Sequence, residues 1–177
     1  MLITGGLFFT ACPNNSSTVA PSATATNSTA STTTPEIAPD KPGYVAKAKA
    51  ADDSRISRIL LQNYWVIVKY YHPNAKKMAL GKGRWFKFEK DGTFISGRWA
   101  ATTANGVWRL SQREGKDFIL LDSSIDSEDS EFEIQKIRGS EDAMAWVGSD
   151  RYPEYDPAAF QIDNLLTIPT KQQFGEE

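Results

Sequence analysis

The chain has 177 residues, a formal charge of −2 and 40% hydrophobic residues, which suits one globular domain with appendages. The near-neutral balance, with no basic stripe, gives no electrostatic footprint for nucleic acid. One Cys rules out an internal disulfide, and one His with one Cys does not make a usual zinc site, so no metal and no cofactor is expected.

Residues 2–11 are apolar or small, and Cys12 follows at once. The run is too short to span a bilayer and reads as the tail of a secretory signal over residues 1–12. Phe9-Thr10-Ala11-Cys12 resembles the lipobox of bacterial lipoproteins. That resemblance implies lipidation at Cys12, a membrane anchor, and a place in the bacterial cell envelope, in the periplasm or at the outer membrane. From Pro13 to Pro39, 24 of 27 residues are Ser, Thr, Ala, Pro or Asn. Such a stretch has almost nothing to bury and is expected to be a disordered tether, extended here to residues 13–51. Its free part would reach on the order of 25–30 Å. Asn14, Asn15 and Asn27 each begin an Asn-x-Ser/Thr triplet, which a tract this rich in Ser and Thr produces by chance.

The folded domain is expected over 52–168, with a tail at 169–177. Asp53 or Ser54 can cap a short helix carrying Ile56, Ile59, Leu60 and Asn63 at helical spacing. At Trp65 the period changes, and Trp65 to Tyr71 is β-rich by residue type. Next comes the clearest fold signal, Gly83 to Trp99. Asp91-Gly92 reads as a two-residue hairpin turn. It would set Phe88 opposite Ile95, Phe86 opposite Gly97 and Arg84 opposite Trp99. One face then carries Phe86, Phe88, Ile95 and Trp99, the other Lys87, Glu89 and Ser96. Trp85 would lie opposite Arg98 on the outer face. Further strands are expected at Val107–Leu110, Phe118–Leu121, Phe132–Ile137 with a bulge near Ile137, and Ala143–Val147. Leu165-Leu166-Thr167-Ile168 is a candidate eighth. Antiparallel strands joined by short turns read as an all-β up-and-down meander of seven or eight strands, closed as a barrel or folded as a sandwich.

A short helix, a Trp opening the first strand, and then a meander resembles the lipocalins, in particular the lipocalin-like domains of bacterial lipoproteins. The aromatic strand ending in Asp-Gly-Thr-Phe, Phe86 to Phe94, and the strand Gly106-Val107-Trp108 carry the likeness. Asn63-Tyr64-Trp65 stands where the lipocalins have Gly-x-Trp, with Asn able to take positive φ. The resemblance covers roughly residues 56–148. It implies a small lipocalin-like barrel, anchorage and binding, and it carries over no ligand residue.

The search for chemistry finds little. His72, beside Pro73, has no nucleophile motif to serve. The acidic run Asp122 to Glu131 lacks the Gly of a calcium loop and reads as a solvated connection. Asp150 and Glu154 can be paired on paper as glycosidase acids, but acids are common at strand ends. The aromatics are the strongest lead. Trp65, Phe86, Phe88, Ile95, Trp99, Trp108, Phe132 and Trp146 either fill the barrel or line a cup for a small apolar molecule. Two readings follow, both non-enzymatic. One is a membrane-tethered carrier of a small apolar ligand. The other is an envelope protein-interaction module with a filled barrel and an exposed patch at Val66, Val68 and Tyr70.

Overall fold

The computed structural model describes residues 43–74, 81–152 and 158–176, all within one compact unit, Ile37–Glu177. Cys12, the tether up to residue 42, Pro153, Glu154 and Pro157 lie outside the described residues. Helix α1 runs Arg55–Leu60 and is started by Ser54, whose hydroxyl accepts the Ser57 amide at 3.1 Å. Its Ile59 and Leu60 enter the core. Asn63 then takes φ 42, the left-handed turn that Asn tolerates, and delivers the chain into the first strand.

Eight strands follow: β1 Tyr64–Tyr71, β2 Arg84–Phe88, β3 Thr93–Arg98, β4 Ala101–Arg113, β5 Lys116–Ser123, β6 Ser130–Ile137, β7 Ala143–Gly148 and β8 Ala159–Leu165. Each pairs antiparallel with its sequence neighbour, and β8 returns to β1, closing the barrel. The expected all-β meander behind a short helix is therefore present. A register shift between Ile134 and Lys136 is the bulge that the phase slip near Ile137 signalled. The eighth strand is not Leu165–Ile168 but the preceding stretch, in which Phe160 and Ile162 alternate inward. Leu166, past its end, is 81% exposed.

The central hairpin differs from expectation by one residue. Phe88 faces Phe94, Lys87 faces Ile95, Phe86 faces Ser96, and Arg84 faces Arg98. The Glu89 amide donates to the Thr93 carbonyl and the Gly92 amide to the Glu89 carbonyl. Gly92 sits at φ 88. This is the three-residue loop, a type I turn followed by a left-handed Gly, rather than a two-residue turn. A slip of one residue exchanges the faces of a strand, so Phe94 and Ser96 point inward and Ile95 outward, 36% exposed. The tight two-residue turn occurs instead at Glu114-Gly115, with φ 52 and 76, between paired Arg113 and Lys116.

Both flanks of the chain return to the barrel exterior. Gly43–Ala51, expected as the end of the tether, is seated on it. The Ala51 amide donates to the Lys90 carbonyl and the Arg109 guanidinium to the Lys47 carbonyl, both at 2.9 Å. At the other terminus Phe174 packs edge-on to Trp99 at 5.5 Å, and Glu176 pairs with Lys82 at 2.7 Å.

Candidate functional site

The barrel interior is built from the inward residues of every strand. Trp65, Phe86, Phe88, Phe94, Trp108, Phe132, Trp146 and Phe160 belong to one buried cluster. Their rings touch in sequence: Phe88–Trp108 at 5.2 Å, Phe86–Trp146 at 5.8 Å, Phe132–Trp146 at 5.5 Å and Phe132–Phe160 at 5.0 Å. Such tilted, stacked and edge contacts suit the ring quadrupoles. The indole N–H groups are also satisfied: Trp65 donates to the Leu60 carbonyl, Trp108 to the Glu89 carbonyl, and Trp146 to the Met144 sulfur. Helix α1 covers part of the end at which β1 begins. Toward the other end a cavity of about 10 Å³ is lined by Ile67, Phe86, Phe132, Trp146 and Phe160 together with Arg84 and Ser130. That is about the room of one water molecule. The Arg84 guanidinium lies 5.2 Å from the Phe86 ring centre and 2.8 Å from Glu128, so a charged latch sits over the aromatic interior.

Of the eight residues expected to line that interior, six do so. Ile95 and Trp99 do not. Ile95 is turned out by the register. Trp99 leaves the strand at φ 52, its amide donating to the Gly83 carbonyl and its ring lying against Phe174. Trp85 is on the outer face but faces Gly97, not Arg98. A Cβ on Gly97 would come within 2.3 Å of the Trp85 ring, so glycine there lets the indole lie flat on the sheet. The exposed patch expected at Val66, Val68 and Tyr70 is not formed. Val66 is buried, and a bulge between Ile67 and Lys69 lets Tyr70 stack on Phe160 at 4.5 Å. His72 is engaged locally, its Nδ1 accepting the Asn74 amide.

The acidic run is not a solvated loop throughout. Its two ends lie in strands, where Asp122 and Glu131 are only 1% and 2% exposed on the outer face of the sheet. Asp122 Oδ2 accepts the Ala46 amide at 2.7 Å, and Asp126 Oδ1 accepts the Gly43 amide at 2.7 Å. Burial raises the Asp122 carboxyl above the ordinary aspartate range; the Ala46 N–H and the Arg109 charge act in the opposite sense and are outweighed. Glu131 Oε1 accepts from Arg113 at 2.6 Å and from the Ser149 hydroxyl at 2.8 Å. The sequence carried a signal for this covered face. Phe118-Ile119-Leu120-Leu121 is apolar on both alternating sets, the mark of a strand buried on both sides. Among the described residues no three His, Cys, Asp or Glu side chains are grouped to hold a metal.

Two larger clefts are present. One, of about 520 Å³, lies at the barrel mouth between α1 and the ends of β4, β5 and β6, lined by Ile56, Leu110 and Ile137 with Asp52, Arg55, Gln112 and Asp117 among its polar groups; Leu110, Gln112, Asp117 and Ile137 are on the inward faces that also carry Trp108, Ile119, Ile134 and Met144. Another, of about 500 Å³, is lined by Arg113, Lys116, Phe118, Glu133 and Ser149.

No family model matches the chain, and no curated protein is similar to it. Among solved structures it is similar to a DUF4847 family protein from Bacteroides vulgatus ATCC 8482, at 13% identity and a TM-score of 0.38, over 63% of this chain and 99% of that one.

Proposed function

We propose that the protein is a non-enzymatic, membrane-tethered docking module of the cell envelope, a lipocalin-like barrel with a filled aromatic core that meets its partner at the cleft beside α1. The observation that carries this reading is the distribution of space. The cavity within the aromatic cluster holds about 10 Å³, against clefts of about 520 Å³ at the barrel mouth beside α1 and about 500 Å³ on the outer face of β5 and β6. Sites for small molecules need roughly 300 Å³ or more, so an apolar ligand fits the aromatic cluster poorly. The cleft beside α1 mixes apolar Ile56, Leu110 and Ile137 with charged and polar groups, the make-up of a protein contact. Asn63 at positive φ ahead of a buried Trp65, beneath a closing helix, supports the lipocalin-like part of the reading.

Anchorage at Cys12 rests on the resemblance of Phe9-Thr10-Ala11-Cys12 to a lipobox. Cys12→Ser in the full chain should move the protein from the membrane to the soluble fraction, because the acyl chains would supply its membrane affinity. A wild-type protein found soluble and unacylated in its host would end that part. Docking is tested by a photo-crosslinking residue at Gln112, on the cleft rim, in native envelopes. A discrete adduct at Gln112 that is absent with the same group at Thr103 is expected. No adduct, together with saturable interior binding of an apolar dye, would return the function to the ligand carrier.

A further inference from the structure

Gly43–Ala51 is attached to the barrel in an unusual manner. All four of its attachments use its own backbone: the Gly43 amide to Asp126, the Ala46 amide to Asp122, the Lys47 carbonyl to Arg109, and the Ala51 amide to the Lys90 carbonyl. The outer-face residues Val107 and Leu120, neighbours of Asp122 and Arg109 across and along the β4–β5 ladder, are buried. The segment contributes Ala46 to the buried apolar set, and half-buried Ala51 packs against the core. It therefore rests on polar attachments more than on packing, and such a segment opens at small cost relative to global unfolding.

One attachment is different from the others. Asp122 is almost wholly buried and uses one oxygen on the Ala46 amide; its Oδ1 has no hydrogen-bond partner among the described residues, nor has Nε of Arg109. We propose that Gly43–Ala51 is a releasable strap whose seating on β4 and β5 is gated by the charge of Asp122, the neutral acid holding the strap closed and the carboxylate favouring release. The physical reason is the idle oxygen. A proton on Oδ1 leaves Oδ2 free to accept from Ala46 and removes a buried charge, whereas the carboxylate regains water only when the strap lifts. The charged and titratable groups coupled to Asp122 are Arg109 on β4, Asp126 in the one-turn helix Asp126–Glu128, and Tyr152 after β7, its hydroxyl itself raised by burial. Glu131, the other buried acid of this face, is occupied by Arg113 and Ser149.

The direction of the linkage follows from burial. With the strap closed the Asp122 carboxyl binds its proton more tightly than in water, where 3.8 is ordinary. Closure is therefore strongest below that ordinary value, weakens as pH rises toward the raised value of the closed state, and is flat above it.

Hydrogen exchange of the full chain between pH 3.5 and 8, with intrinsic rates divided out, reads this directly. Protection of the Ala46 amide should fall as pH rises from the ordinary aspartate range to the raised value of the closed state, by at most about tenfold per pH unit for one linked proton, and level off above it. The Gly148 amide, bonded to the Ala158 carbonyl between β7 and β8, should not follow it and reports that the barrel stays folded. In Asp122→Asn, where the amide oxygen still accepts from Ala46, Ala46 protection should be flat over the same range. A flat wild-type profile overturns the proposal. So does a slope that survives Asp122→Asn, and its loss in Asp126→Asn would then assign it to the Gly43 attachment.

Discussion

The inside of the barrel and the outer face of β4 and β5 are both buried, and they are buried by different means. Inside, rings meet rings, and the only polar demands of the core indoles are answered by the Leu60 and Glu89 carbonyls and a Met sulfur. Outside, the cover is a strap held by amides and carbonyls, and it encloses a carboxylate. The first kind of burial is worth about 25 cal/mol per Å² and does not depend on pH. The second is cheap to open and carries a titratable group. One region therefore supplies stability, while the other can respond to conditions.

The comparison is broken most severely by opening the inside. Trp108→Ala should lower stability by about 3–5 kcal/mol in urea unfolding, because it removes a core indole in contact with Phe88 and leaves a cavity. A loss below about 1 kcal/mol would mean that the indole is not packed. On the outer face, Arg113→Ala should cost about 1–2 kcal/mol, since Glu131 loses its 2.6 Å partner while keeping the Ser149 hydroxyl. Half of Arg113 is in water, which holds the figure below that of a fully buried pair. Raising the salt concentration should leave most of that loss in place, whereas a mere surface pair would be screened away.

Smaller still is the pH signature. Because its folded value is raised, Asp122 contributes stability that is complete below the ordinary aspartate range and lost as pH rises through the folded value. Asp122→Asn should flatten that segment of the stability curve, measured against wild type from pH 3.5 to 8. An unchanged curve would place the titrating group elsewhere. Last is a pair that tests the register. Ile95→Ala should stay within about 0.5 kcal/mol of wild type, while Phe94→Ala next to it falls in the core range. The reverse order would restore the two-residue turn.

That pair also marks what could be read in advance. The first seven strands, a cap at Asp53 or Ser54 and the bulge in β6 were legible because each rests on local residue chemistry; the turn at Asn63 came with the lipocalin resemblance, and its place at helical spacing did not hold, since α1 ends at Leu60. The register at Asp91-Gly92 was not legible. Asp-Gly suits both a two-residue turn and a three-residue loop, and Phe94 and Ile95 are both apolar, so alternation could not choose between them. In the folded chain the Asp91 carboxylate accepts the Thr93 amide at 2.9 Å and its hydroxyl at 2.6 Å, tying the loop across its tip. The strap was illegible for another reason. Its Ala and Lys composition matches a linker, and its attachments run through backbone groups that every residue possesses. In β8, the alternation of Phe160 and Ile162 was present, but Pro153 and Pro157 before it and Pro169 after it read as strand breakers. Six of the eight proposed lining residues met inside; Ile95 and Trp99 fell out with the register.

The central claim is that the aromatic interior is filled and the contact surface lies at the cleft beside α1. Titration of the full chain, purified without detergent, with an apolar fluorescent dye tests it most directly, with tryptophan fluorescence read at the same time. Trp65, Trp108 and Trp146 lie in the interior cluster, so a dye entering the barrel must quench them. The account predicts no saturable quenching in the parent and none gained in Ile95→Ala. Saturable quenching in the parent, weakened by Phe88→Ala, would contradict it and establish an open cup in place of a filled core.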